Sequence, residues 1–289
     1  MRSIHKALVA VSRGSFSANQ TALAGTNTVI SRGISRGIAI SSAKAEQQAQ
    51  SPAEQNWKTR CDLAASYRIL YNLNYHEGVC NHLSATCPTK DGSGKVMLTI
   101  PYGLSWREVT ATSLVGTSLE IATDPVVVEK GFGEPDISAI SIHNGVHQSR
   151  SDMSCLLHSH VPNVTALACL KDPTLLMCHQ NSTRFLGELC YDHDYDGVAT
   201  GLDEGFRLAK VFGKKTVMLM ANHGVLVLGK TVAEAFDQLY YLERAAEVQV
   251  SNAVPVIGTM VHRNKATSSS AFRAESHWFK PRPRSVKLN

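Results

Sequence analysis

The sequence has no uninterrupted apolar run that approaches the roughly 18 residues needed for a membrane-spanning helix. We therefore expect a protein that is not integral to a membrane. Hydrophobic residues make up 43% of the chain and charged residues 18%, a balance that excludes a disordered or collagen-like protein. With 289 residues, the chain is long enough for one large domain or two small ones.

Acidic residues are absent from the first 45 positions, which hold six basic residues and many Ser, Thr and Ala. This composition is typical of an organellar transit peptide. We predict that residues 1–45 are a mitochondrial-type transit peptide, that the mature chain starts near Glu46, and that the protein is located in the mitochondrial matrix. The alternative is a basic tail without a targeting role, on a protein of the cytoplasm or cytoskeleton.

The positive charge of the chain is concentrated at its two ends. The net charge is +5, while residues 1–45 and residues 262–289 each contribute +6 by count, which leaves −7 for residues 46–261. An acidic body lacks the basic surface that nucleic-acid binding requires, so we predict no nucleic-acid partner. We expect one domain over residues 46–255 and a basic, flexible tail over residues 256–289.

No CxxC pair occurs among the seven cysteines, which are scattered through apolar stretches. Structural zinc sites usually use such pairs, so a cysteine-based zinc finger is excluded. We expect reduced thiols in an intracellular compartment.

Helix-like and strand-like patterns alternate along the central part of the chain. Residues 54–73 predict a first amphipathic helix, because apolar residues recur at steps of four. The expected apolar stripe consists of Trp57, Cys61, Ala65, Ile69 and Leu73. Residues 80–87 and 95–100 then read as two strands on either side of a glycine-containing turn, which predicts a hairpin.

The second half of the chain continues the alternation. Asp136 is in position to cap a helix, residues 154–160 and 216–221 read as buried strands, and a second strand begins at Val225. Residues 231–234 form a Thr-x-x-Glu capping box that opens a long helix to about Val250. Interleaved strands and helices indicate an α/β fold, a layered sheet with helices on both faces.

Three histidines stand at the ends of two predicted strands. His158 and His160 are two residues apart, so the strand period directs both imidazoles to one face, where a bound divalent metal would offset their burial. His223 ends the next apolar strand and precedes Gly224, which we expect to let the backbone turn sharply. Three neutral imidazoles with an open coordination position are typical of a catalytic zinc. The spacing alone leaves a structural role for these histidines equally open.

Several motifs follow one another in the order found in one known family. They are His158-Ser-His160, Asn222-His-Gly224, Asn81-His-Leu-Ser84 and Pro101-Tyr-Gly-Leu104. Together they resemble the class II aldolase/adducin family over about residues 55–255, and two further runs are more similar to its adducin-like branch. The resemblance implies a three-layer α/β/α sandwich with a central, mostly antiparallel sheet, in a homo-oligomer that is often a tetramer.

The resemblance also implies a set of site residues. It makes His158, His160 and His223 the ligands of Zn²⁺ or another divalent metal, which in the family's enzymes acts as a Lewis acid on a ketose phosphate. A small hydroxy-carbonyl compound is the implied substrate here. The implied substrate-binding residues are Asn81, His82, Ser84, Gly103 and Ser138.

The sequence departs from the enzymes of the family at one position that matters for catalysis. Their catalytic glutamate lies one helical turn before a histidine like His143, and this chain has Ala139 there. Glu134 and Asp136 are the nearby acid/base candidates, whose alternative roles are a turn and a helix cap. Tyr102 also replaces a small polar residue of the implied phosphate pocket. A classical sugar-phosphate aldolase is therefore not expected.

Three functions remain open from the sequence. The first is a metal-dependent lyase or epimerase acting on a small hydroxy-carbonyl substrate. The second is an adducin-like module without catalysis that binds a protein partner such as actin filaments of the cytoskeleton, and the missing glutamate favours it. The third uses the same metal site for hydration or hydrolysis, since zinc-bound water is a nucleophile near neutral pH.

Overall fold

The computed structural model of the protein describes residues 50–120, 125–194, 201 and 203–253. The predicted transit peptide and the predicted basic tail lie outside the described residues. The chain divides into two units, Met1–Ser51 and Pro52–Asn289, and every element below belongs to the second. None of the described helices has the length and apolar character needed to cross a membrane.

The described residues form five helices, eight strands and three short 3₁₀ turns. The helices are α1 (Pro52–Asn72), α2 (Ile137–Ser149), α3 (Pro162–Ala168), α4 (Asp203–Phe212) and α5 (Val232–Ala253). The strands are β1 (His82–Pro88), β2 (Lys95–Thr99), β3 (Val115–Thr117), β4 (Val127–Glu129), β5 (Cys155–Ser159), β6 (Leu189–Asp192), β7 (Val217–Met220) and β8 (Val225–Gly229). The 3₁₀ turns are Gly78–Cys80, Trp106–Glu108 and Ser182–Phe185.

The strands form a single sheet in the order β4-β3-β2-β1-β5-β8-β7-β6. Every neighbouring pair is antiparallel except β6 and β7, which are parallel. The predicted hairpin is confirmed, because β1 and β2 pair directly with Ser84 opposite Thr99. Strand β5 lies in the middle of the sheet, between β1 and β8, so side chains from three separate parts of the sequence meet along it.

Helices pack on both faces of this sheet, as the α/β/α prediction requires. Helix α5 contacts both α1 and α3, and these three helices contact strands β1, β5, β7 and β8. Helices α2 and α4 contact each other and strands β1, β5 and β6. The core on the α2/α4 side is apolar and buried. It contains Ile142, Val146, Met153, Leu156, Leu208, Phe212, Met218, Leu226 and Leu228.

Helices α2 and α4 approach each other through two glycines. A Cβ added at Gly205 would lie 2.6 Å from the carbonyl oxygen of Ile142, and one at Gly145 would lie 2.6 Å from the backbone nitrogen of Phe206. The two backbones therefore touch where a larger residue would separate them. This contact places α2 firmly over β1 and β5.

The predicted buried face of α1 is wrong. Trp57 is 51% exposed, and the residues that α1 buries include Asn56, Arg60, Leu63 and Tyr67. Asn56 and Arg60 are polar, so a search for apolar residues at helical spacing does not identify the buried face of this helix. Their burial is compensated by β4, because the Arg60 guanidinium bonds the Glu129 carboxylate at 2.6 Å.

The helix caps follow the sequence expectations. Asp136 caps α2 by accepting a hydrogen bond from the backbone nitrogen of Ser138 at 2.9 Å. Before α5, the Thr231 hydroxyl accepts from the nitrogen of Glu234 at 3.1 Å, and the Glu234 carboxylate accepts from the nitrogen of Lys230 at 2.8 Å. The seven cysteines all lie in the described residues, and none forms a disulfide.

Candidate metal centre

The three predicted histidine ligands converge at one end of the central strands. His158 lies in β5, His160 follows that strand directly, and His223 lies in the turn that joins β7 to β8. The antiparallel pairing of β5 and β8 places Ser159 opposite Val225, which brings the turn beside the two β5 histidines. One nitrogen from each of the three imidazoles lies within 4.8 Å of the others.

A tight turn positions His223. The nitrogen of His223 donates to the carbonyl of Met220 at 3.1 Å, and Asn222 adopts a left-handed conformation with φ of 56°. The residue that reverses the backbone is therefore Asn222, and the role predicted for Gly224 is wrong. Gly224 instead provides space, because a Cβ there would lie 2.6 Å from Cδ2 of His160 and 2.7 Å from the carbonyl oxygen of Ser159.

Hydrogen bonds to Nδ1 orient two of the three rings. Nδ1 of His158 lies 3.2 Å from the carbonyl oxygen of Val225, and Nδ1 of His160 lies 2.8 Å from the Glu77 carboxylate. A proton on each Nδ1 leaves Nε2 with its lone pair, the form of imidazole that binds a metal. Nε2 of His160 is buried and makes no hydrogen bond within the described residues. The three residues therefore fit a divalent cation with nitrogen ligands, such as Zn²⁺.

Burial keeps the imidazoles of His158 and His223 neutral. It lowers the pKa of His158 well below its ordinary value, and the proximity of the His223 and His82 rings lowers it further. Burial likewise lowers the pKa of His223 to about 3. The rings of His158, His160 and His223 are packed edge to face with centroids 4.8 to 5.0 Å apart. Neutral imidazoles such as those of His158 and His223 offer lone pairs and carry no charge, so they are suited to a cation and unsuited to an anion.

Glu77 is the carboxylate that contacts the ligand set, and sequence analysis missed it. It lies between α1 and β1, its side chain is 71% exposed, and its backbone nitrogen donates to the side-chain oxygen of Asn81 at 2.6 Å. A carboxylate bonded to the second nitrogen of a ligating histidine is a common arrangement around zinc. No short motif marks this residue, because Glu77 and His160 are 83 residues apart in sequence.

The predicted acid/base candidates have other contacts. The Asp136 carboxylate caps α2 and also accepts from the Ser138 hydroxyl at 2.6 Å. Glu134 is exposed, and its backbone carbonyl accepts from the nitrogen of Tyr102 at 2.8 Å. Neither belongs to the converging histidine group in the described part of the chain. Ala139, which replaces the family's glutamate, is fully buried.

The predicted substrate-binding residues occupy different surroundings. Asn81 is buried beside the ligands, where its side-chain oxygen accepts from the nitrogen of His160 at 3.4 Å, while its Nδ2 has no partner among the described residues. His82 and Ser84 are buried inside the protein. Gly103 is exposed with φ of 82°, and the Ser138 hydroxyl bonds to the capping carboxylate of Asp136.

A second group of buried polar side chains lies next to the ligands. His82 faces His158 across the β1/β5 pair, with ring centroids 5.0 Å apart. On its other side, Nδ1 of His82 lies 2.8 Å from Nε2 of His143 on α2. The Ser84 hydroxyl lies 2.5 Å from Nδ1 of His143 and 2.7 Å from Nε2 of His147. Sequence analysis did not predict that these four residues meet.

Comparison with known proteins places this site in a family. Residues 61–250 match the model of the Class II Aldolase and Adducin N-terminal domain. The chain is 36% identical over 213 residues to a Pseudomonas aeruginosa protein whose name assigns it provisionally to the class 2 aldolases; the match covers 73% of this chain and 78% of that one. It is 30% identical over 194 residues to alpha-adducin of Rattus norvegicus, covering 66% of this chain but 25% of that protein.

A solved structure shows the same fold. The crystal structure of an aldolase II superfamily protein from Pseudomonas syringae superposes with a TM-score of 0.64 at 30% identity, covering 79% of this chain and 91% of that one. The family model spans the strands and turns that bear all three histidines. The chain therefore belongs to the class II aldolase/adducin family.

Proposed function

We propose that this chain is a metal-dependent enzyme, with Zn²⁺ as the expected metal, that acts as a lyase or epimerase on a small hydroxy-carbonyl substrate. The observation that supports this most directly is the convergence of His158, His160 and His223, which bring one nitrogen each within 4.8 Å of the others. Structural zinc sites have four protein ligands, whereas catalytic sites usually have three and an open position for substrate. The described residues offer three at this site.

The chemistry of the site divides between the metal and the surrounding residues. When bound, the metal would supply Lewis acidity to the carbonyl and hydroxyl oxygens of the substrate. Glu77 and the carbonyl of Val225 hold the His160 and His158 rings in the tautomer that binds a metal. The buried Nδ2 of Asn81, which has no partner in the described residues, is a donor placed to bind a substrate oxygen.

Proton transfer is the step that this chain must perform differently from the family's enzymes, which have a catalytic glutamate at the position of Ala139. Ala139 has no ionisable group. Asp136 is close enough to His82 to raise its pKa against the larger lowering caused by burial. Of the two proposed acid/base candidates, Asp136 is the one with this influence on His82, and its carboxylate also caps α2.

Metal content tests this proposal. We expect elemental analysis of the full chain to find about one zinc per chain, as an isolated catalytic site requires. The variant His223→Ala should lose it, while His179→Ala, which changes a histidine outside the cluster, should retain it. Metal-loaded protein would then be screened for carbon–carbon cleavage and epimerisation of hydroxy-carbonyl compounds. Absence of metal in all three proteins would refute the proposal.

The second candidate function is an adducin-like module that binds actin filaments without catalysis. The observation that favours it is Ala139, fully buried at the position of the family's catalytic glutamate. Cosedimentation of the purified chain with actin filaments tests it directly. Binding of metal-free protein to filaments, together with inactivity of the zinc-loaded protein, would favour the module over the enzyme.

We further propose that the protein is located in the mitochondrial matrix and forms a homo-oligomer, in the family's manner a tetramer. The location is supported by the acid-free, Arg- and Ser-containing composition of residues 1–45. Amino-terminal sequencing of the endogenous protein should find a start near Glu46, and analytical ultracentrifugation should find a species of about four chains. An intact Met1 or a monomer would contradict the respective proposal.

A further inference from the structure

Three large apolar side chains are exposed on two neighbouring segments of the chain, and we call them the apolar rim. Tyr102 is 48% exposed, Phe132 69% and Ile137 56%. Single exposed apolar residues are normal on a protein surface, whereas a group of them marks an interaction site. The backbone contacts of these three residues show that they form such a group.

Backbone contacts hold the two segments side by side. The nitrogen of Tyr102 donates to the carbonyl of Glu134 at 2.8 Å, and Pro101 pairs with Pro135 in an antiparallel bridge. The segment that contains Phe132 therefore runs alongside the residues that follow β2. Both belong to one surface.

The register of the sheet places Tyr102 at the end where the metal ligands lie. Strand β2 ends at Thr99, which pairs with Ser84 of β1, so the residues after it continue in the direction of His82. His82 begins β1 and pairs with His158, one of the three proposed ligands. The residues that follow β2 therefore approach the ligand end of the sheet.

Helix α2 brings Ile137 to the same end. Nε2 of His147 on this helix lies 2.7 Å from the Ser84 hydroxyl, and Nε2 of His143 lies 2.8 Å from Nδ1 of His82. Towards its N-terminus, α2 thus follows β1 from Ser84 to His82. Ile137 begins the helix about 9 Å beyond His143. It therefore lies past His82, on the side of the ligands.

The charges beside the apolar rim disfavour an anionic ligand. Residues 101–106 and 131–137 contain two carboxylates, those of Glu134 and Asp136, and no Lys or Arg. A phosphate or carboxylate group bound there would meet like charge, which costs free energy. An uncharged apolar group would instead remove exposed apolar surface from water, which is favourable.

We propose that the apolar rim of Tyr102, Phe132 and Ile137 binds an uncharged alkyl or aryl substituent of the substrate whose oxygens bind the metal. This inference rests on the proposed function and narrows its substrate class. The expected substrates are hydroxy-carbonyl compounds that end in an apolar group, and compounds that end in a phosphate or carboxylate are disfavoured.

Binding of three 2-hydroxy acids to the zinc-loaded full chain tests this contact. Glycolate has only the metal-binding hydroxyl and carboxylate, 2-hydroxypentanoate adds a propyl group, and 2-hydroxyglutarate ends the same length of chain in a second carboxylate. Each fully buried methylene strengthens binding by about fourfold. Because the apolar rim is open to solvent, we expect calorimetry to show 2-hydroxypentanoate binding about tenfold more tightly than glycolate. The second carboxylate should abolish this gain.

Variants of the apolar rim locate the effect. Tyr102→Ser, Phe132→Ser and Ile137→Ser should each reduce the preference for 2-hydroxypentanoate over glycolate. The matched control is Leu186→Ser, which should retain the preference, because Leu186 is 73% exposed but precedes β6 at the other end of the sheet. Equal affinity for the two acids in the wild type, or an unchanged preference in all three rim variants, would overturn the inference.

Sedimentation of the same variants distinguishes a substrate from a second copy of the chain. We expect the rim variants to retain the wild-type oligomeric state. Dissociation in these variants but not in Leu186→Ser would overturn the inference, because a second copy would then cover the apolar rim. A chain without bound zinc would refute the proposed function and this inference with it, whereas zinc-loaded protein without the preference would refute the inference alone.

Discussion

Replacement of Glu77 tests whether the histidine cluster is a metal site held by a carboxylate. The variant Glu77→Ala removes the acceptor 2.8 Å from Nδ1 of His160 and frees that ring to change tautomer or rotate. Loss of such a partner typically weakens metal binding by about ten- to a hundredfold. Because the Glu77 side chain is 71% exposed, solvent screens its charge. We therefore expect a loss near the lower limit, about tenfold.

Competition with a chromophoric zinc chelator measures this affinity. Glu77→Gln should give an intermediate value, because the amide oxygen still accepts the Nδ1 proton but has no charge. Glu247→Gln is the matched control, since Glu247 is an exposed glutamate paired with Arg244 on α5. Wild-type zinc affinity in Glu77→Ala would refute the argument that this carboxylate orients His160. A weakened Glu247→Gln would show instead that net charge, not this contact, controls binding.

Three further changes have expected results. Gly224→Ala should bind less zinc in elemental analysis, because its methyl group would lie 2.6 Å from the ring of His160; full zinc content would contradict this. Burial lowers the pKa of His147 to about 4, below the value of about 6.5 in the unfolded chain. Between these two values protons bind the unfolded chain preferentially, so the unfolding free energy of the wild type should fall as the pH drops from about 6.5 to about 4. This fall should be on the order of 3 kcal/mol larger than in His147→Gln. Urea unfolding at each pH measures this, and an equal pH dependence of the unfolding free energy in both proteins would contradict it. Gly205→Ala should lower the unfolding free energy by about 1–3 kcal/mol through overpacking, while Gly94→Ala, with open space around it, should not.

Local rules account for the parts of the fold that were predicted correctly. The Asp136 cap and the Thr231/Glu234 capping box depend on residues within four positions of one another. The β1/β2 hairpin depends on a short turn between two alternating runs. Such features follow from backbone geometry and nearest neighbours, so the sequence contains them in full.

The buried face of α1 and the network around His82 required tertiary information. Arg60 is buried only because Glu129 arrives from β4, 69 residues later, and apolar periodicity does not detect an ion pair. His143 and His147 are visibly four residues apart, and His82 and Ser84 two apart, so each pair shares a face of its own element. That the two faces meet depends on how α2 packs on β1, which no local pattern specifies.

The position of β5 has a consequence for the order of folding. Its neighbours in the sheet are β1 and β8. Strand β1 is separated from β5 in sequence by three further strands and helix α2, and β8 is synthesised after β5. Both pairings are expected to form slowly, because the chain must lose loop-closure entropy before the strand contacts contribute favourable free energy. The ligand set is complete only when His223 joins His158 and His160. A nascent chain that ends before β7 therefore lacks the third ligand, and metal uptake should follow, rather than guide, assembly of the central sheet.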